Sequence, residues 1–306
     1  MSSVTQRRPA SARTGLKRSL RPRVEPFTVV SYVGVGLFAL FCLIPLWMIL
    51  AGSFTEESTL ALSGYSLFPS PFSLEAYIQI FTGQRILDAY AASLFITVVG
   101  TVLSTCFTAG LGWVIARRMP RVSRPLAIFS YIPMLFTGGL VPMYLLIAHF
   151  LGLRDSWWAV ILPHLLAPFL VFIAVSAFQQ LPVEILESAT IDGANELRIF
   201  FSIVMPLSKP IIAVVALFYG VAYWNEWFNA MLYLTSQEKF PLQLVLQQLI
   251  SNVAGAAELP GAAGPMPPIY QLRLALTVVT IGPIVLAYPF AQRYFVKGLT
   301  LGATKG

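Results

Sequence analysis

The sequence predicts an all-α polytopic membrane protein with six transmembrane helices, and three observations lead there. Six apolar runs are each long enough to cross about 30 Å of hydrocarbon as a helix. Of the 306 residues, 57% are hydrophobic and 11% charged, where a soluble domain carries roughly 25% charged residues. The basic residues also collect in alternate connections, the bias that orients spans in a membrane. Lipid offers no partner to backbone polar groups, so apolar runs of this length are helices.

Taken in order, residues 1–27 are a basic arm. Arg7, Arg8, Arg13, Lys17, Arg18, Arg21 and Arg23 all precede the first acid, Glu25. The arm is too long and polar for a cleaved signal peptide. It reads as a cytoplasmic anchor of orientation, with attraction to anionic membrane lipid as a second role. The spans are expected near Val29–Ala51, Ser93–Ala116, Leu126–Phe150, Trp157–Phe178, Ile211–Leu234 and Leu274–Phe290. Pro45, Pro133, Pro142, Pro163, Pro168 and Pro283 fall inside them, so kinked helices are expected.

Charge sets the orientation. The connection after the second span holds Arg117, Arg118, Arg121 and Arg124 with no acid. The connection after the first holds Glu56, Glu57, Glu75 and Asp88 against Arg85 alone. Both termini are therefore expected in the cytoplasm. The organisation follows: the arm, the first span with its external connection over 28–92, a core over 93–292, and a cytoplasmic tail over 293–306. The net charge of +7 is spent on orientation and is not read as a nucleic-acid footprint. In the external connection, Phe72, Ala76, Tyr77, Ile80 and Phe81 predict an amphipathic helix along the interface. Pro241–Ile250 predicts a short helix, and the glycine- and proline-rich Ser251–Pro268 a flexible loop.

Between the fourth and fifth spans lies a charged interruption, residues 181–210. Glu184, Glu187, Asp192, Glu196, Arg198 and Lys209 are packed into it. Pro182 and Glu184 suit the start of a helix. Asp192-Gly193 supplies a turn. Leu197, Phe200, Phe201 and Val204 recur at helical spacing, and Pro206 and Pro210 end the element. The prediction is helix, glycine turn, helix: a cytoplasmic knob.

Several chemistries find no support. There is no phosphate-binding loop of the G-x-x-x-x-G-K-[ST] type. Neither a nucleophile elbow nor a zinc-protease helix motif occurs. Cys42 and Cys106 lie in apolar runs and read as buried small side chains, not a disulfide or metal site. His149 and His164 stand apart, with no Cys/His cluster at metal-ligand spacing, so no metal site is expected. The fifth span carries Tyr223-Trp224-Asn225-Glu226-Trp227-Phe228-Asn229. At 1.5 Å per residue Glu226 falls about 22 Å along a helix from Ile211. Asn225 and Asn229 would share a helix face with an aromatic stripe beside them. Aromatic faces beside amides and a carboxylate suit a sugar, so Tyr223, Trp224, Asn225, Glu226 and Asn229 are candidates for a substrate path. An aromatic belt with a hydrogen-bonded Glu is the plainer reading.

The register Glu187-Ser188-Ala189, three residues, Gly193, nine residues, Ile203, one residue, Met205-Pro206 resembles the EAA motif of type I ABC-importer permeases. Ser188 and Met205 stand where that family usually has Ala and Leu. The ending QRYFVKGLTLGATKG resembles the tail of the maltose-transporter-type carbohydrate permeases, and the likeness runs from about Phe68 to Gly306. The run FTGGLVPMYLL looks like the subgroup associated with complex or uronate-containing saccharides. The resemblance implies a type I importer permease fold in the bacterial cytoplasmic (inner) membrane. It also implies a chain that is no enzyme and binds no cofactor, with ATP and Mg held by two separate ATP-binding subunits. A second permease, here expected to make a heterodimer, and an extracellular or periplasmic solute-binding protein complete the implied assembly. By motif position Glu187, Ser188, Ala189, Asp192, Gly193, Ile203 and Pro206 would form the coupling element, and the tail, Lys305 and Gly306 included, would reach the ATPases. The Ser251–Pro268 loop would face the binding protein. An ion-coupled transporter would need more buried ionisable groups than Glu226. A permease for a non-sugar solute is the nearer alternative.

Overall fold

The computed structural model describes residues 26–82, 84–257 and 269–303. The basic arm, the Lys305–Gly306 tail and the 258–268 part of the loop lie outside them. The chain divides into two units, residues 1–47 and 48–306. The first unit is the N-terminal part of α1 (Pro26–Ser53). From Phe27 to Trp47 this helix is apolar on every side, as with Phe38 and Phe41, which is the signature of a membrane span.

In the second unit the short helices α2 (Glu57–Ser63) and α3 (Glu75–Thr82) precede α4 (Gln84–Ala116), a 33-residue helix. Then come α5 (Ser123–Leu135) and α6 (Leu140–Phe150), the latter π-wound over Leu145–Phe150. Next are α7 (Trp157–His164), α8 (Pro168–Phe178) and α9 (Val183–Ile191). The chain continues with α10 (Glu196–Leu207) and α11 (Lys209–Trp224). It closes with α12 (Phe228–Tyr233), α13 (Leu242–Ala257) and α14 (Ile269–Ala303).

Helix α4 is the axis. It packs on α11 and α8 along its length, and the core gathers Ile96, Val160, Val215, Tyr219, Tyr223 and Leu276. Two glycines on α4 allow this approach. A Cβ at Gly100 would meet the Tyr223 ring at 2.7–2.8 Å, and one at Gly112 would meet Ala174 at 3.1 Å.

Among the described residues three helices are long and apolar enough to span, and up to five if the bent pairs α7–α8 (51°) and α10–α11 (84°) each count once. Several other expectations need correction. The third expected span, Leu126–Phe150, is two helices. It breaks at Phe136–Gly139, where Gly139 takes φ 84. The fifth, Ile211–Leu234, ends at Trp224 and resumes at Phe228. Cys42 and Cys106 are free but exposed, because apolar surface here meets lipid as well as protein. Helix α3 forms as expected, yet Ala76 and Ile80 bury against the core. Only part of its apolar face is left for the interface. Helix α13 runs on through Ala257, into the stretch expected to be loop.

The breaks keep their backbone satisfied. At the α7–α8 bend the Ala167 amide donates to the Tyr219 hydroxyl at 2.9 Å, and that hydroxyl also meets Thr108 Oγ1 at 2.7 Å. Tyr223 donates to the Ile161 carbonyl at 3.0 Å and pairs with Ser104 at 2.8 Å. A bend inside lipid is tolerated when neighbouring side chains take up the freed groups.

Candidate functional site

Two constellations stand at opposite ends of α4. At its C-terminal end is the knob. Helix α9 closes at Asp192, and Gly193 takes φ 81, a left-handed backbone suited to glycine. The Gly193 amide donates to Thr190 O, and the Ala194 amide to Ala189 O, both at 3.0 Å. This pair of bonds satisfies the last carbonyls of a helix ending on a left-handed glycine. Asn195 then caps α10 by accepting from the Arg198 amide at 2.8 Å.

Of the motif residues, Ala189 is buried and Ile203 half-buried, while Glu187, Ser188, Asp192, Gly193 and Pro206 are exposed. The inward face of the knob joins Leu186, Ala189, Ile199 and Val204 to Ala109, Trp113, Ala174 and Phe178. Trp113 is the hub. Its ring lies edge-on to Phe178 at 6.2 Å and tilted against Phe200 at 6.4 Å. The Arg117 guanidinium lies 5.5 Å from the centre of the same ring and pairs with Glu196 at 2.5 Å. The outward face keeps Glu184 and Glu187 in the open beside Val183 and Ile191, the last 86% exposed. Sequence reasoning missed Trp113. It sits in an apolar span, and nothing local marks it as a partner of Phe178 and Phe200, 65 and 87 positions away.

At the other end, the break between α11 and α12 turns Glu226 toward His164 at the end of α7. Their atoms are 2.6 Å apart. Glu226 also accepts the Asn229 amide at 2.8 Å, capping α12, and the Asn229 side chain lies 2.8 Å from His164 Nε2. The Tyr223 ring meets the imidazole edge-on. Glu226 is largely enclosed, whereas His164 keeps 42% of its side chain exposed.

The break alters the expected layout. Asn225 and Asn229 do not share a helix face. Asn225 ends α11, donates to Val221 O at 2.8 Å and accepts from Gln243 at 3.0 Å. Tyr223 and Trp224 are 2% and 5% exposed, the latter donating to Thr280 O at 3.1 Å. They stand behind the cluster and present no free wall. His164, taken from the sequence as an isolated histidine, belongs to it.

A polar clamp holds this end together. Asp155, at φ 57, accepts the Thr235 and Ser236 amides, the Ser236 hydroxyl and Lys239 Nζ at 2.7–2.9 Å. Partial burial on its own would raise this carboxyl. The bonds from Lys239, Ser236 and Thr235 outweigh that and hold it well below the usual carboxylate range. Trp157 adds a bond to Lys239 O at 3.0 Å. Nearby, Glu57 caps α14 by accepting the Tyr270 and Gln271 amides at 2.9 and 2.7 Å. Among the described residues no group of acids, histidines and cysteines could hold a metal ion.

Helix breaks thus surround buried polar side chains at one end of α4, and a charged knob packs at the other. Protein LplC of Bacillus subtilis is 40% identical over 92% of this chain and 95% of its own length. The polygalacturonan/rhamnogalacturonan transport system permease protein YtcP of the same organism is 39% identical, covering 92% of this chain and 98% of its own. A solved bacterial ABC transporter for import of the acidic polysaccharide alginate matches 94% of this chain and all of its own matched chain. Its TM-score is 0.76 at 26% identity. No family model matches. The chain belongs to the permease subunits of carbohydrate ABC importers, and it is a multi-pass membrane protein.

Proposed function

We propose that this chain forms one half of the translocation path of an ATP-driven importer in a bacterial cytoplasmic membrane. Six spans with both termini inside would place the knob in the cytoplasm. Two separate ATP-binding subunits, which carry ATP and Mg, would drive it through α9. A second permease and an external solute-binding protein complete the assembly, with the Lys305–Gly306 tail near the ATPases. The observation that carries this reading is the two-sided knob. Ala189 faces Trp113 and Phe178, while Glu187, Ser188 and Asp192 face outward on the turn fixed by Gly193. Such an element moves as a rigid body when its outer face is gripped.

The substrate side is the Glu226–His164–Asn229 cluster, with Asn225 beside it and Tyr223 and Trp224 behind. Relatives named for polygalacturonan and alginate support a uronate-containing oligosaccharide as cargo. His164 supplies a donor for such an acid. The test is ATP-dependent uptake by the purified assembly in proteoliposomes. Gly193→Asp is expected to insert normally and lose uptake, with ATP hydrolysis no longer answering to the loaded binding protein. Uptake that survives in Gly193→Asp removes the coupling role. Uptake abolished by a protonophore with ATP present favours an ion-coupled transporter.

A further inference from the structure

Between α4 and α5 the chain builds a basic cavity that neither the knob nor the polar cluster uses. It measures about 410 Å³ and is lined by Ile115, Arg118, Met119, Arg121, Ser123 and Arg124, among others. Arg117, next in sequence, is already paired with Glu196. Among the described residues Arg118, Arg121 and Arg124 have no carboxylate partner. All three are exposed.

The loop that presents them is held in shape. The Ser123 hydroxyl is buried, donates to Val114 O at 2.6 Å and accepts the Met119 amide at 2.8 Å. The Arg118 and Val122 amides add turn bonds to Ile115 O and Met119 O. Arg118 and Arg121 take φ 51 and 70, left-handed angles uncommon for residues with a side chain. A loop serving only to carry positive charge would not need that backbone.

Beneath the arginines the floor is apolar, from Ile115, Met119 and Ala127. The adjoining face of α5 continues apolar and open through Ile128, Phe129, Ile132 and Leu135, with Phe129 71% exposed. Charge on the rim and hydrocarbon along the wall match one kind of molecule.

We infer that this cavity binds the phosphate headgroup of an anionic phospholipid, its acyl chain lying along α5. Arg118, Arg121 and Arg124 supply planar donors suited to phosphate oxygens, and basic pockets between membrane helices on the cytoplasmic side are sites for such lipids. A free phosphate would leave the α5 face unused. The inference rests on the membrane placement of α4 and α5, and it holds whether or not the knob couples to an ATPase.

The test measures phosphatidylglycerol binding by the purified full assembly, exchanged into phosphatidylcholine vesicles with and without phosphatidylglycerol. The readout is the lipid retained per chain by mass spectrometry. Arg118→Gln/Arg121→Gln/Arg124→Gln is expected to weaken binding on the order of 100-fold. The corresponding triple Lys variant keeps the charge, and is expected to stay within about tenfold of wild type. Arg198→Gln/Lys209→Gln removes charge from the same end and is expected to cost at most a few-fold. Removal of residues 2–25 is expected to leave the triple-dependent loss intact. Equal affinity in wild type and the Gln triple overturns the site, as does an equal loss in Arg198→Gln/Lys209→Gln, which would mean diffuse attraction. Displacement of the lipid by millimolar inorganic phosphate assigns the arginines to the free ion and also overturns it. Uptake and coupled ATP hydrolysis are read separately, so loss of the lipid leaves the coupling proposal standing.

Discussion

At the knob end, Trp113 meets Phe178 of α8 and Phe200 of α10 through ring contacts, Leu186 and Ala189 seat α9 in the same apolar cluster, and Arg117–Glu196 lies on the rim. At the far end, Asp155 gathers four donors from the 235–239 segment. Both join segments distant in sequence, but the forces differ in range and direction. Contact between rings weakens gradually as they slide, and is distributed over many atoms. A set of short hydrogen bonds tolerates little displacement before it fails. The contacts at the knob can therefore yield gradually, while those at the far end resist displacement. Between them runs the seam of Thr108–Tyr219 and Ser104–Tyr223, which ties α4 to α11, while the same two hydroxyls hold the Ala167 amide and Ile161 carbonyl of the α7–α8 bend.

The largest effect that would break this contrast is at the hub. Trp113→Ala removes a ring that is 5% exposed, and truncating a buried Trp costs about 3–5 kcal/mol. That loss is expected to fall on the knob. Amide exchange over 183–207 should accelerate strongly, while 233–240 keeps its protection. Equal acceleration at both ends would show that they are one cooperative unit.

Next in size is Gly100→Ala, at the seam. The added Cβ would overlap the Tyr223 ring at 2.7–2.8 Å. Overpacking of this kind costs about 1–3 kcal/mol. It would also lift the hydroxyl from Ser104 and Ile161 O. A lowered melting temperature is expected, with Gly100→Ala/Tyr223→Phe recovering little of it, since the ring remains. Full stability of Gly100→Ala would mean that α4 and α11 can part without cost.

A smaller effect tests the clamp. Because the Asp155 carboxyl is depressed in the folded protein, its contribution is present above the unfolded value of about 4. It fades as pH falls from there through the folded value. Wild type should therefore keep a constant stability advantage over Asp155→Asn from pH 7 down to about 4, and lose it progressively only as pH falls further. An advantage that already declines between pH 7 and 5, or that does not shrink at all below about 4, would contradict the assignment.

How much of this could be read from the sequence differs between the two ends for a physical reason. The knob was legible because its turn is local. Asp192-Gly193 acts on its own backbone, and the structure repeats the predicted helix, turn, helix; Pro206, expected to end the second helix, lies inside it, and the bend comes at Ser208, with Pro210 in the first turn of the next helix. Its anchor was not legible, since Trp113 reads as one more apolar residue of a span. The far end was misread as a continuous helix through Asn229. Nothing in Trp224–Phe228 forbids helix. The break is stabilised by His164, 62 residues earlier, and by the Glu226 cap on α12. The split at Phe136–Gly139 was within reach, because paired glycines favour a break. The cysteines were misplaced for another reason: in a membrane protein an apolar run identifies the solvent as well as the core.

The smallest change to the fold, and the most specific to function, is Glu226→Gln. The amide oxygen can still accept the Asn229 amide, so α12 keeps its cap and stability should move by less than about 1 kcal/mol. What goes is the negative partner of His164, and with it the charge balance of a site that faces a half-exposed imidazole. If the cluster meets cargo, Glu226→Gln is expected to change the preference between uronate-containing and neutral oligosaccharides in an uptake competition. The coupling of ATP hydrolysis to the binding protein should stay intact. An unchanged preference with unchanged uptake would reduce Glu226 to the cap of a short helix. In that case the far end would be scaffold throughout, and the difference between the two ends would be one of yielding and resistant contacts alone.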